Sequence, residues 1–471
     1  MPERSETLTK LSSHPFDLLV VGGGITGAGI ARDASLLGLS VALIDKNDFG
    51  SGTSSRSSRL VHGGVRYLEH GHVHLVFEAS AERRRLRRIA PHLVRPLAFT
   101  WPVYEGQRMA RWKLRAGLTL YDALSLFRNF RRHRNLSKER VLSVEPNLRR
   151  TQLRGGVRYY DASTDDANLT LANVLDARAL GAVVANHVAM TGAAPPADGL
   201  RVTRVEDSLT GERAEIRSRV VVNATGPWSD TVESMQGGAP ASAVQGSKGV
   251  HLAVDRNRIG NRDAIVMLHP RDGRVMFTLP AGAQTIFGTT DTFTNVSPDE
   301  VRASESDVAY VLEAANAYFP DARLQRGDVV SAWAGIRPLM PSSGSSVSAS
   351  REHLIRSAPG SVRITGGKLT TYRIMATQVV DAAARLLGTS LPGSQTAERA
   401  LPQVGRELVA TIGDLLIRRT KVAFETHDNG RSAARTAADE LAAALGWDSA
   451  RRERELARYD AEVTRIFGVD P

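Results

Sequence analysis

The stretch DLLVVGGGITGAGIARDASLLGLSVALID, residues 17–45, decides the fold of this chain. Its pattern predicts a strand at Asp17–Val21, a glycine turn, a helix at Ala28–Leu37, and a second strand at Leu39–Ile44 that ends at Asp45. This order of elements is the fingerprint of a dinucleotide-binding βαβ unit. A glycine turn alone would be weak evidence, but here the strand, the helix and the acid are all in place.

Each residue of the fingerprint has a physical role. Gly22 makes the tight turn, Gly24 lets the backbone approach a pyrophosphate, and Gly27 allows the helix to pack closely on the strand. The helix N-terminus offers unpaired N–H groups to the phosphates. Asp45 follows Gly27 by 18 residues and can accept hydrogen bonds from a ribose diol. We therefore predict that these four residues form a dinucleotide site.

The loop after Asp45 indicates which dinucleotide binds. Residues 50–59, GSGTSSRSSR, are small and rich in hydroxyls, and they lead into LVHGGVRYL at 60–68. Such a loop can wrap a second phosphate and run beneath a flat ring, whereas a nicotinamide enzyme would normally continue into another crossover helix. A flexible Ser/Gly linker is the alternative, but the two arginines and the apolar continuation argue against it. We predict FAD, with contacts from Thr53, Ser54, Ser55, His62, Gly63 and Gly64.

Together with three later segments, the run GTSSRSSRLVHGGVRYL at 52–68 resembles the FAD-dependent glycerol-3-phosphate dehydrogenases. The later segments are VNATGPW at 222–228, GTTD at 288–291, and GIRPL at 335–339 with GGKLTTYR at 366–373. The resemblance runs from about residue 16 to about residue 385. Beyond it, the chain resembles the family's helical extension more loosely. One departure is Ala281, where the family often has a tryptophan after the proline.

The resemblance implies an α/β fold with D-amino-acid-oxidase-like architecture. A Rossmann-like FAD-binding domain would comprise residues 16–75, 150–235 and 333–385, and an antiparallel β-platform for the substrate would comprise residues 76–149 and 236–332. Residues 390–471 are rich in Ala, Arg, Glu and Leu and predict a helical C-terminal domain. Apolar patterning predicts further helices at 72–92, 165–180 and 304–318 and from about residue 371, and strands at 155–160, 182–185, 219–224, 249–254, 275–280, 285–288 and 362–365.

Arginine binds phosphate bidentately, so arginines in pocket-like positions are candidate substrate ligands. Arg66, Arg337 and Arg373 stand in glycine-flanked or strand-end positions. The resemblance places the family's substrate pocket at Arg66, Tyr67, Arg337 and Lys368, where Lys368 would contact either the substrate or the flavin edge. It also places cofactor contacts at Ala224, Thr225, Gly226, Gly366, Lys368, Leu369 and Thr370. A helix that opens after Gly366 would stabilise negative charge on the reduced flavin through its N-terminus.

Two histidines compete for the role of the base that accepts the hydroxyl proton. His62 precedes Gly63 and Gly64, where the backbone could approach the flavin ring. His251 lies on a predicted platform strand and matches a family position that faces the substrate. The ordinary pKa of histidine, about 6.5, suits either residue. The sequence does not decide between them, and Arg337 and Lys368 complete the predicted catalytic set.

The chain is strongly basic, with 61 Lys and Arg against 50 Asp and Glu, which predicts an anionic partner. Residues 108–134 place Trp112, leucines and phenylalanines among arginines, a composition typical of a helix in a lipid headgroup layer. An ordinary surface helix fits these residues equally well. The resemblance favours the first interpretation, because it implies a peripheral enzyme on the inner face of the cell membrane that passes electrons to quinone.

The composition of the chain also limits which covalent links, metal sites and membrane segments we expect. The absence of cysteine excludes disulfides and thiolate metal sites and fits a cytoplasmic protein, and we expect no metal. The sequence contains no run of 18 apolar residues, so we predict no transmembrane helix. The first sixteen residues carry neither a signal nor a transit pattern and are expected to be a short disordered tail. Whether two copies form a homodimer is left open.

The leading hypothesis is therefore oxidation of glycerol 3-phosphate by FAD with quinone as the acceptor. A sibling alternative is an oxidase that uses oxygen, or a related FAD-dependent oxidoreductase of 2-hydroxy acids or amino acids. A different class is a basic FAD-dependent RNA-modifying protein, which would explain the basic charge. That class calls for stacking aromatics along a basic groove, which the sequence does not clearly show, so we expect no nucleic-acid partner.

Overall fold

The protein is described from a computed structural model, which covers residues 2–64, 73–107, 111–124, 130–237, 244–339 and 353–471. The helices of these ranges are α1 Pro2–Ser13, α2 Ile25–Leu36, α3 Val73–Ile89, α4 Arg111–Leu124, α5 Lys138–Val144, α6 Asp166–Ala179, α7 Ser229–Met235, α8 Arg256–Ile259, α9 Glu305–Tyr318, α10 Tyr372–Leu387, α11 Val422–Glu425, α12 Arg431–Leu445 and α13 Ser449–Phe467. The strands are β1 Phe16–Val21, β2 Val41–Ile44, β3 Leu60–Val61, β4 Val94–Tyr104, β5 Arg134–Leu136, β6 Leu153–Thr164, β7 Val183–Ala185, β8 Val188–Ala197, β9 Leu200–Asp207, β10 Arg213–Asn223, β11 Gln245–Asp255, β12 Ala264–Leu268, β13 Val275–Ala281, β14 Gln284–Gly288, β15 Thr292–Thr294, β16 Ala303–Ser304, β17 Val329–Leu339, β18 His353–Ala358, β19 Ser361–Gly366 and β20 Val469–Asp470.

The first sheet carries the predicted dinucleotide fingerprint. Its order is β18-β19-β10-β1-β2-β7, with the strands from β19 to β7 parallel and the hairpin β8–β9 paired to β10. β1 is buried on both faces, as a central parallel strand must be. Leu18 and Val20 pack with α2, α6 and α10, while Leu19 and Val21 face α1 and α7. The strand–helix–strand prediction for residues 17–45 is confirmed.

The expectation of a disordered N-terminal tail was wrong. Residues Pro2–Ser13 form α1, whose Leu8 and Leu11 are buried against the first sheet. Arg4 also donates a 2.7 Å hydrogen bond from Nε to the buried carboxylate of Asp207. The sequence pattern did not reveal α1, because the helix has only 12 residues and few apolar positions. A helix of this length is marginal on its own, and contacts with the first sheet stabilise it.

The second sheet is the predicted platform, and it is mostly antiparallel. Its order is β15-β11-β14-β13-β12-β4-β6-β3, with β17 paired to β11 and β5 paired to β6; only the β12–β4 pair is parallel among these described strands. Helices α5 and α9 cover part of one face. α9 begins with a capping box in which Ser304 and Asp307 satisfy each other's backbone N–H groups.

The sheet topology divides the chain differently from the predicted domain boundaries at two places. β6, which we placed in the 150–235 part of the FAD-binding domain, pairs with β4 in the second sheet. β17, whose C-terminal half fell in the 333–385 part, pairs with β11 in the same second sheet. Alternation along a strand predicts that it is a strand, but it does not tell which sheet it joins.

The C-terminal region is helical, as predicted, from the π-helical turn at Asp414–Arg419 through α11, α12 and α13. The first part of the predicted 390–471 domain, residues 390–411, instead forms turns and loops. Its apolar side chains pack on the second sheet, where Phe424 meets Trp333 edge to face with ring centres 5.0 Å apart. In the basic span, α4 turns Leu114, Leu118 and Tyr121 inward and exposes Trp112 and Leu120. The described helices include none that is both long and apolar enough to cross a bilayer.

Candidate active site

One cavity of about 460 Å³ connects the glycine turn of the first sheet to the second sheet. It opens at the carboxyl ends of the parallel strands, where β1, β2 and β10 deliver Gly22, Asp45 and Ala224 side by side. Ligands of open α/β sheets bind at this edge. The cavity continues to Arg337, His251 and Phe277 of the second sheet. A single space therefore joins a dinucleotide site to a separate group of polar side chains.

The glycine turn is shaped for close approach. Gly22 has a φ of 102°, and a Cβ on Gly27 would lie 1.8 Å from the carbonyl oxygen of Gly22, so both positions require glycine. A Cβ on Gly24 would meet only the Ser54 Oγ, at 3.3 Å, among the described residues. The packing of the protein thus leaves the backbone at Gly24 bare and facing the cavity, as a bound pyrophosphate would need.

Asp45 lies at the end of β2, beside this turn. Its carboxylate accepts hydrogen bonds from the backbone N–H of Gly23 at 2.7 Å and of Asn47 at 2.9 Å. Burial raises the pKa of Asp45 to about 6, although these N–H groups favour the charged form. The carboxylate is thereby held in one orientation at the cavity wall, as the predicted ribose contact requires.

The hydroxyl-rich loop lies against the start of α2, and its predicted contact with a second phosphate stays a prediction. The Ser54 Oγ accepts a 2.9 Å hydrogen bond from the backbone N–H of Ile25, and the Thr53 Oγ1 donates a 2.6 Å bond to the carbonyl of Ile336. Both residues line the cavity, whereas Ser55 is buried and does not. The loop therefore bridges the helix N-terminus and the second sheet.

The segment after this loop runs along the cavity toward the second sheet. The backbone N–H of His62 lies 3.3 Å from the Thr370 Oγ1, which joins it to the predicted cofactor segment near α10. Gly64 lines the cavity, while Gly63 packs where a Cβ would lie 2.2 Å from the Tyr121 hydroxyl. The backbone N–H of Gly63 donates to this hydroxyl at 3.1 Å and to Asp161 at 3.2 Å.

Most predicted cofactor contacts come together at the cavity. Those that line it are Gly22, Gly24, Asp45, Thr53, Ser54, His62, Gly64, Ala224, Thr225, Gly226, Gly366, Lys368, Leu369 and Thr370. Gly27, Ser55 and Gly63 lie behind the lining and act through packing. The bare backbone at Gly24, the oriented carboxylate of Asp45 and the cavity that both residues line fit FAD, which these residues would hold.

Arg337 stands at the far end of the cavity, on β17. Its Nη2 donates a 2.9 Å hydrogen bond to the Thr289 Oγ1, and its Nη1 lies 3.4 Å from an Asp291 oxygen. A Cβ on Gly249 would lie 2.3 Å from Nη2, so the glycine makes room for the guanidinium. The arginine is oriented by its neighbours but still faces the cavity.

His251 projects from β11 on the same face as Ser247 and Gly249, since alternate residues of a strand share a face. Its ring stacks on Trp333 with centres 5.5 Å apart, and its Nε2 lies 2.9 Å from the Ser58 Oγ. Burial, with the charges of Arg337 and Arg59, lowers the pKa of His251 to about 3. The ring is therefore neutral at pH 7, and its Nδ1 has no hydrogen-bond partner among the described residues.

Two cavity residues at this end, Arg274 and Asp291, were given no role from the sequence, although Asp291 ends the GTTD segment. Arg274, on the turn before β13, donates from Nη1 to the carbonyl of Asp291 at 3.1 Å, and its Nη1 lies 3.5 Å from the Asp291 carboxylate. Asp291 thus stands between Arg274 and Arg337 and offsets part of their charge. The Asp272-Gly273 pair marks a hairpin turn and could have placed Arg274 beside a platform strand.

One predicted substrate residue was wrong. Arg373 does not line the cavity but is buried in α10, where its Nε pairs with Glu82 at 3.1 Å and its Nη1 contacts Thr396. Lys368 lies in extended backbone before the turn at Leu369–Thr371, whereas Arg373 lies in the first turn of α10, so the two side chains face different neighbours even though they are close in sequence. Arg66 and Tyr67 lie outside the described residues.

Comparisons with known proteins agree with this geometry. A family profile described as FAD dependent oxidoreductase matches residues 17–372, and one described as C-terminal domain of alpha-glycerophosphate oxidase matches residues 403–452. The aerobic glycerol-3-phosphate dehydrogenase of Staphylococcus haemolyticus is 37% identical over 380 residues, which cover 80% of this chain and 68% of that protein. Glycerol-3-phosphate dehydrogenase 2 of Mycobacterium bovis is 34% identical over an alignment of 535 positions, with coverage of 98% and 90%.

A solved structure extends the likeness to three dimensions. The X-ray structure of the glycerol-3-phosphate dehydrogenase from Bacillus halodurans, complexed with FAD, superposes with a TM-score of 0.80 at 29% identity. The superposition covers 98% of this chain and 97% of that one, so it includes both sheets and the C-terminal helices.

Proposed function

The chain belongs to the FAD-dependent glycerol-3-phosphate dehydrogenase family, and from this premise we propose that it oxidises sn-glycerol 3-phosphate to dihydroxyacetone phosphate and passes the electrons to a membrane quinone. The observation that carries the proposal is the single cavity in which the glycine turn and Asp45 share a space with Arg337, His251 and Lys368. Bound FAD supplies the two-electron acceptor there. The chain supplies the groups that bind the alcohol and take its proton.

Arg337 binds the substrate phosphate in this proposal. A planar guanidinium matches a phosphate bidentately, and Thr289 and Ser247 hold Arg337 in place from the side. Arg274 lies on the other side of Asp291 and adds a second positive charge. The dianionic end of the substrate is thereby directed to the second sheet, which leaves its hydroxyl-bearing carbons toward the flavin end of the cavity.

His251 takes the hydroxyl proton in this proposal. Its Nδ1 has no hydrogen-bond partner within the described ranges, while its Nε2 is fixed by Ser58. The charge of Arg337 is one cause of the low pKa of His251. A bound phosphate would offset that charge and raise the basicity of the imidazole when substrate is present. His62, which also lines the cavity, is the alternative base.

Lys368 follows the Gly366–Gly367 turn and lines the same cavity, so it can contact the substrate or the flavin edge. Arg66 and Tyr67 complete the proposed substrate site through the resemblance of their segment to the family. Whether the protein assembles as a homodimer stays a prediction.

Anaerobic mixing of the purified holoenzyme with sn-glycerol 3-phosphate tests the substrate. We expect the visible absorbance of the oxidised flavin to bleach, and glycerol alone to bleach it far more slowly, because glycerol has no phosphate for Arg337. If a 2-hydroxy acid or an amino acid bleaches the flavin and glycerol 3-phosphate does not, the proposed substrate is wrong.

An oxygen-using oxidase is the second candidate, supported by the C-terminal match to a glycerophosphate oxidase domain. The two functions differ in the acceptor. Turnover with a soluble quinone and without peroxide supports the dehydrogenase, whereas stoichiometric peroxide in air and no quinone reduction supports the oxidase.

Membrane docking is proposed to occur through the outer face of α4. Trp112 is 69% exposed and Leu120 is 45% exposed, and both share a helix face with Arg115. Val73 and Phe77 of the neighbouring α3 are also exposed. An exposed tryptophan and leucine beside arginine suit an anionic headgroup layer.

Sedimentation with phosphatidylglycerol-containing vesicles tests this surface. We expect Trp112→Ala to lower vesicle binding several-fold, while Val296→Ala, which removes an exposed apolar side chain elsewhere, leaves it unchanged. Retention on RNA but not on vesicles at the same salt concentration would favour the nucleic-acid alternative instead.

A further inference from the structure

The C-terminal helical domain contacts the loop that carries the dinucleotide acid. This loop, residues 45–51, places Asp45, Lys46, Asn47 and Ser51 at the cavity wall. It is tied to the glycine turn by a 3.0 Å hydrogen bond from the backbone N–H of Gly50 to the carbonyl of Gly23. Asp48 does not line the cavity and is completely buried, so its carboxylate points to other partners.

Those partners are two arginines from the π-helical turn. The Asp48 Oδ2 accepts hydrogen bonds from the Arg418 Nε at 2.6 Å and the Arg419 Nη1 at 2.7 Å. Its Oδ1 accepts from the Arg419 Nη2 at 3.1 Å and the Asn186 Nδ2 at 3.1 Å. Arg419 therefore binds Asp48 bidentately across 371 positions of sequence. Bidentate pairs fix geometry as well as distance.

The two arginines are themselves held firmly. Arg418 also pairs with Asp414 and Glu462 at 2.9 Å each. Although burial opposes the charged form, Glu462, Asp48 and Asp414 hold the pKa of Arg418 well above its ordinary value. Arg419 donates in addition to the carbonyl oxygens of Glu407 and Leu408. The π-helical turn is therefore a rigid base for the contact with Asp48.

We propose that Arg419, supported by Arg418, is a positioning residue for FAD: the C-terminal domain fixes the 45–51 loop in its FAD-binding conformation by binding Asp48 from outside the cavity. A loop held in its bound conformation loses less conformational entropy when the ligand binds, and this preorganisation raises affinity. The inference rests on FAD as the cofactor and does not depend on which alcohol is oxidised. Failure to oxidise glycerol 3-phosphate would therefore leave it intact.

Flavin release from the holoenzyme tests the proposal. After dilution at 25 °C, the rise of flavin fluorescence gives the release rate, and far-UV circular dichroism at the same temperature reports whether the protein stays folded. We expect Arg419→Met to release FAD about tenfold faster while the protein remains folded. Arg419→Lys should show a smaller effect, because an ammonium can restore one of the two bonds to Asp48.

Lys421→Met is the matched control. Lys421 follows the same π-helical turn and is mostly buried, and it joins the C-terminal domain to Asp165 rather than to the 45–51 loop. It should release FAD at the wild-type rate. Equal acceleration in Lys421→Met and Arg419→Met would overturn the proposal, since the cause would then be general loosening of the domain. An unchanged release rate in Arg419→Met, or release only as the protein unfolds, would overturn it too.

A double variant shows whether Arg419 acts through Asp48. If it does, Asp48→Asn with Arg419→Met should release FAD no faster than the faster single variant, because both changes remove the same contact. Additive acceleration would contradict the proposed route.

Discussion

The two ends of the cavity are built in different ways. At the dinucleotide end, Gly22, Gly24 and Gly27 lie within one turn and the first turn of α2, and Asp45 follows on the adjacent strand. At the substrate end, His251 meets Ser58 across 193 positions of sequence, and Arg337 meets Thr289 across 48. The first end is a local backbone structure, whereas the second is assembled by strand pairing in another sheet.

The two ends of the cavity therefore place different requirements on their residues. At Gly22 and Gly27 the dinucleotide end tolerates almost no increase in side-chain size, because backbone atoms lie where a Cβ would be. The substrate end depends on charge and hydrogen bonding among long side chains that can partly readjust. Substitutions at the two ends should therefore fail in different ways, and the following predictions test that contrast in order of decreasing effect.

The largest effect is expected from Gly27→Ala. The new Cβ would lie 1.8 Å from the Gly22 carbonyl oxygen, so the turn must move and the bound flavin should be lost. Flavin absorbance per mole of purified protein measures this. Gly24→Ala is the informative partner, because its Cβ meets only the Ser54 Oγ at 3.3 Å among the described residues. A folded Gly24→Ala protein with full flavin content would contradict the role of Gly24 in ligand approach.

Arg337→Ala should act at the other end without loss of flavin. We expect KM for glycerol 3-phosphate to rise about 10- to 100-fold, as for loss of a charged hydrogen bond. KM for glycerol should change far less, because glycerol lacks the phosphate. Arg326→Ala, which removes an exposed arginine paired with Glu305, is the control. Equal losses for glycerol 3-phosphate and glycerol would mean that Arg337 does not bind the phosphate.

Arg274→Gln should have a smaller effect of the same kind. Arg274 lines the cavity beside Asp291, and Asp272 is a second carboxylate near its guanidinium. Because these two carboxylates offset part of its charge, we expect KM for the phosphate substrate to rise by only about 3- to 10-fold. Steady-state kinetics on the flavin-loaded variant measures it. An effect larger than that of Arg337→Ala would reverse the assignment of the main phosphate ligand.

The two ends should also respond to pH with opposite signs. The pKa of His251 is lowered from 6.5 to about 3, so the unfolded chain binds a proton that the folded protein does not. Stability from this site is complete above pH 6.5 and falls as the pH drops toward 3. The pKa of Asp45 is raised from 3.8 to about 6, so its contribution falls as the pH rises through that window.

Thermal unfolding of the variants between about pH 4 and pH 7 checks these signs. His251→Gln should reduce the loss of Tm toward acid by on the order of 1–3 °C, and Asp45→Asn should steepen it, because it removes a contribution that opposes the loss. His14→Gln, at an exposed histidine, should match the wild type. A His251→Gln protein with an unchanged pH slope would contradict the neutral, buried imidazole.

The sequence predicted more of the fold than of the substrate end. The βαβ unit, the platform strands β11, β13 and β14, and the last helix of the first sheet were predicted from local patterns that the structure confirms. β6 was assigned to the first sheet, because strand alternation is the same in both sheets, and β17 was not predicted as a strand. α1 was missed because its stability comes from contacts with the first sheet rather than from its own turns.

The same limit applies to individual side chains. Arg373 resembled a pocket residue through its neighbours in sequence, but α10 directs it to Glu82. Arg274 was one arginine among many in a basic chain, and only the pairing of β12 with β13 brings it to the cavity. His251 and Arg337 were found because their segments resembled a family, and their common location depends on the register of β11 with β17 and β14.

The sequence by itself determined the βαβ fingerprint, and the loop that follows it indicated the cofactor. Both could be predicted because the glycine turn and the start of α2 are formed by residues that are neighbours in the chain. Only the tertiary structure decided which arginines meet the substrate end and that Arg418 and Arg419 bind Asp48. Those contacts join residues far apart in sequence. Their geometry depends on strand register and domain packing, which local residue patterns do not specify.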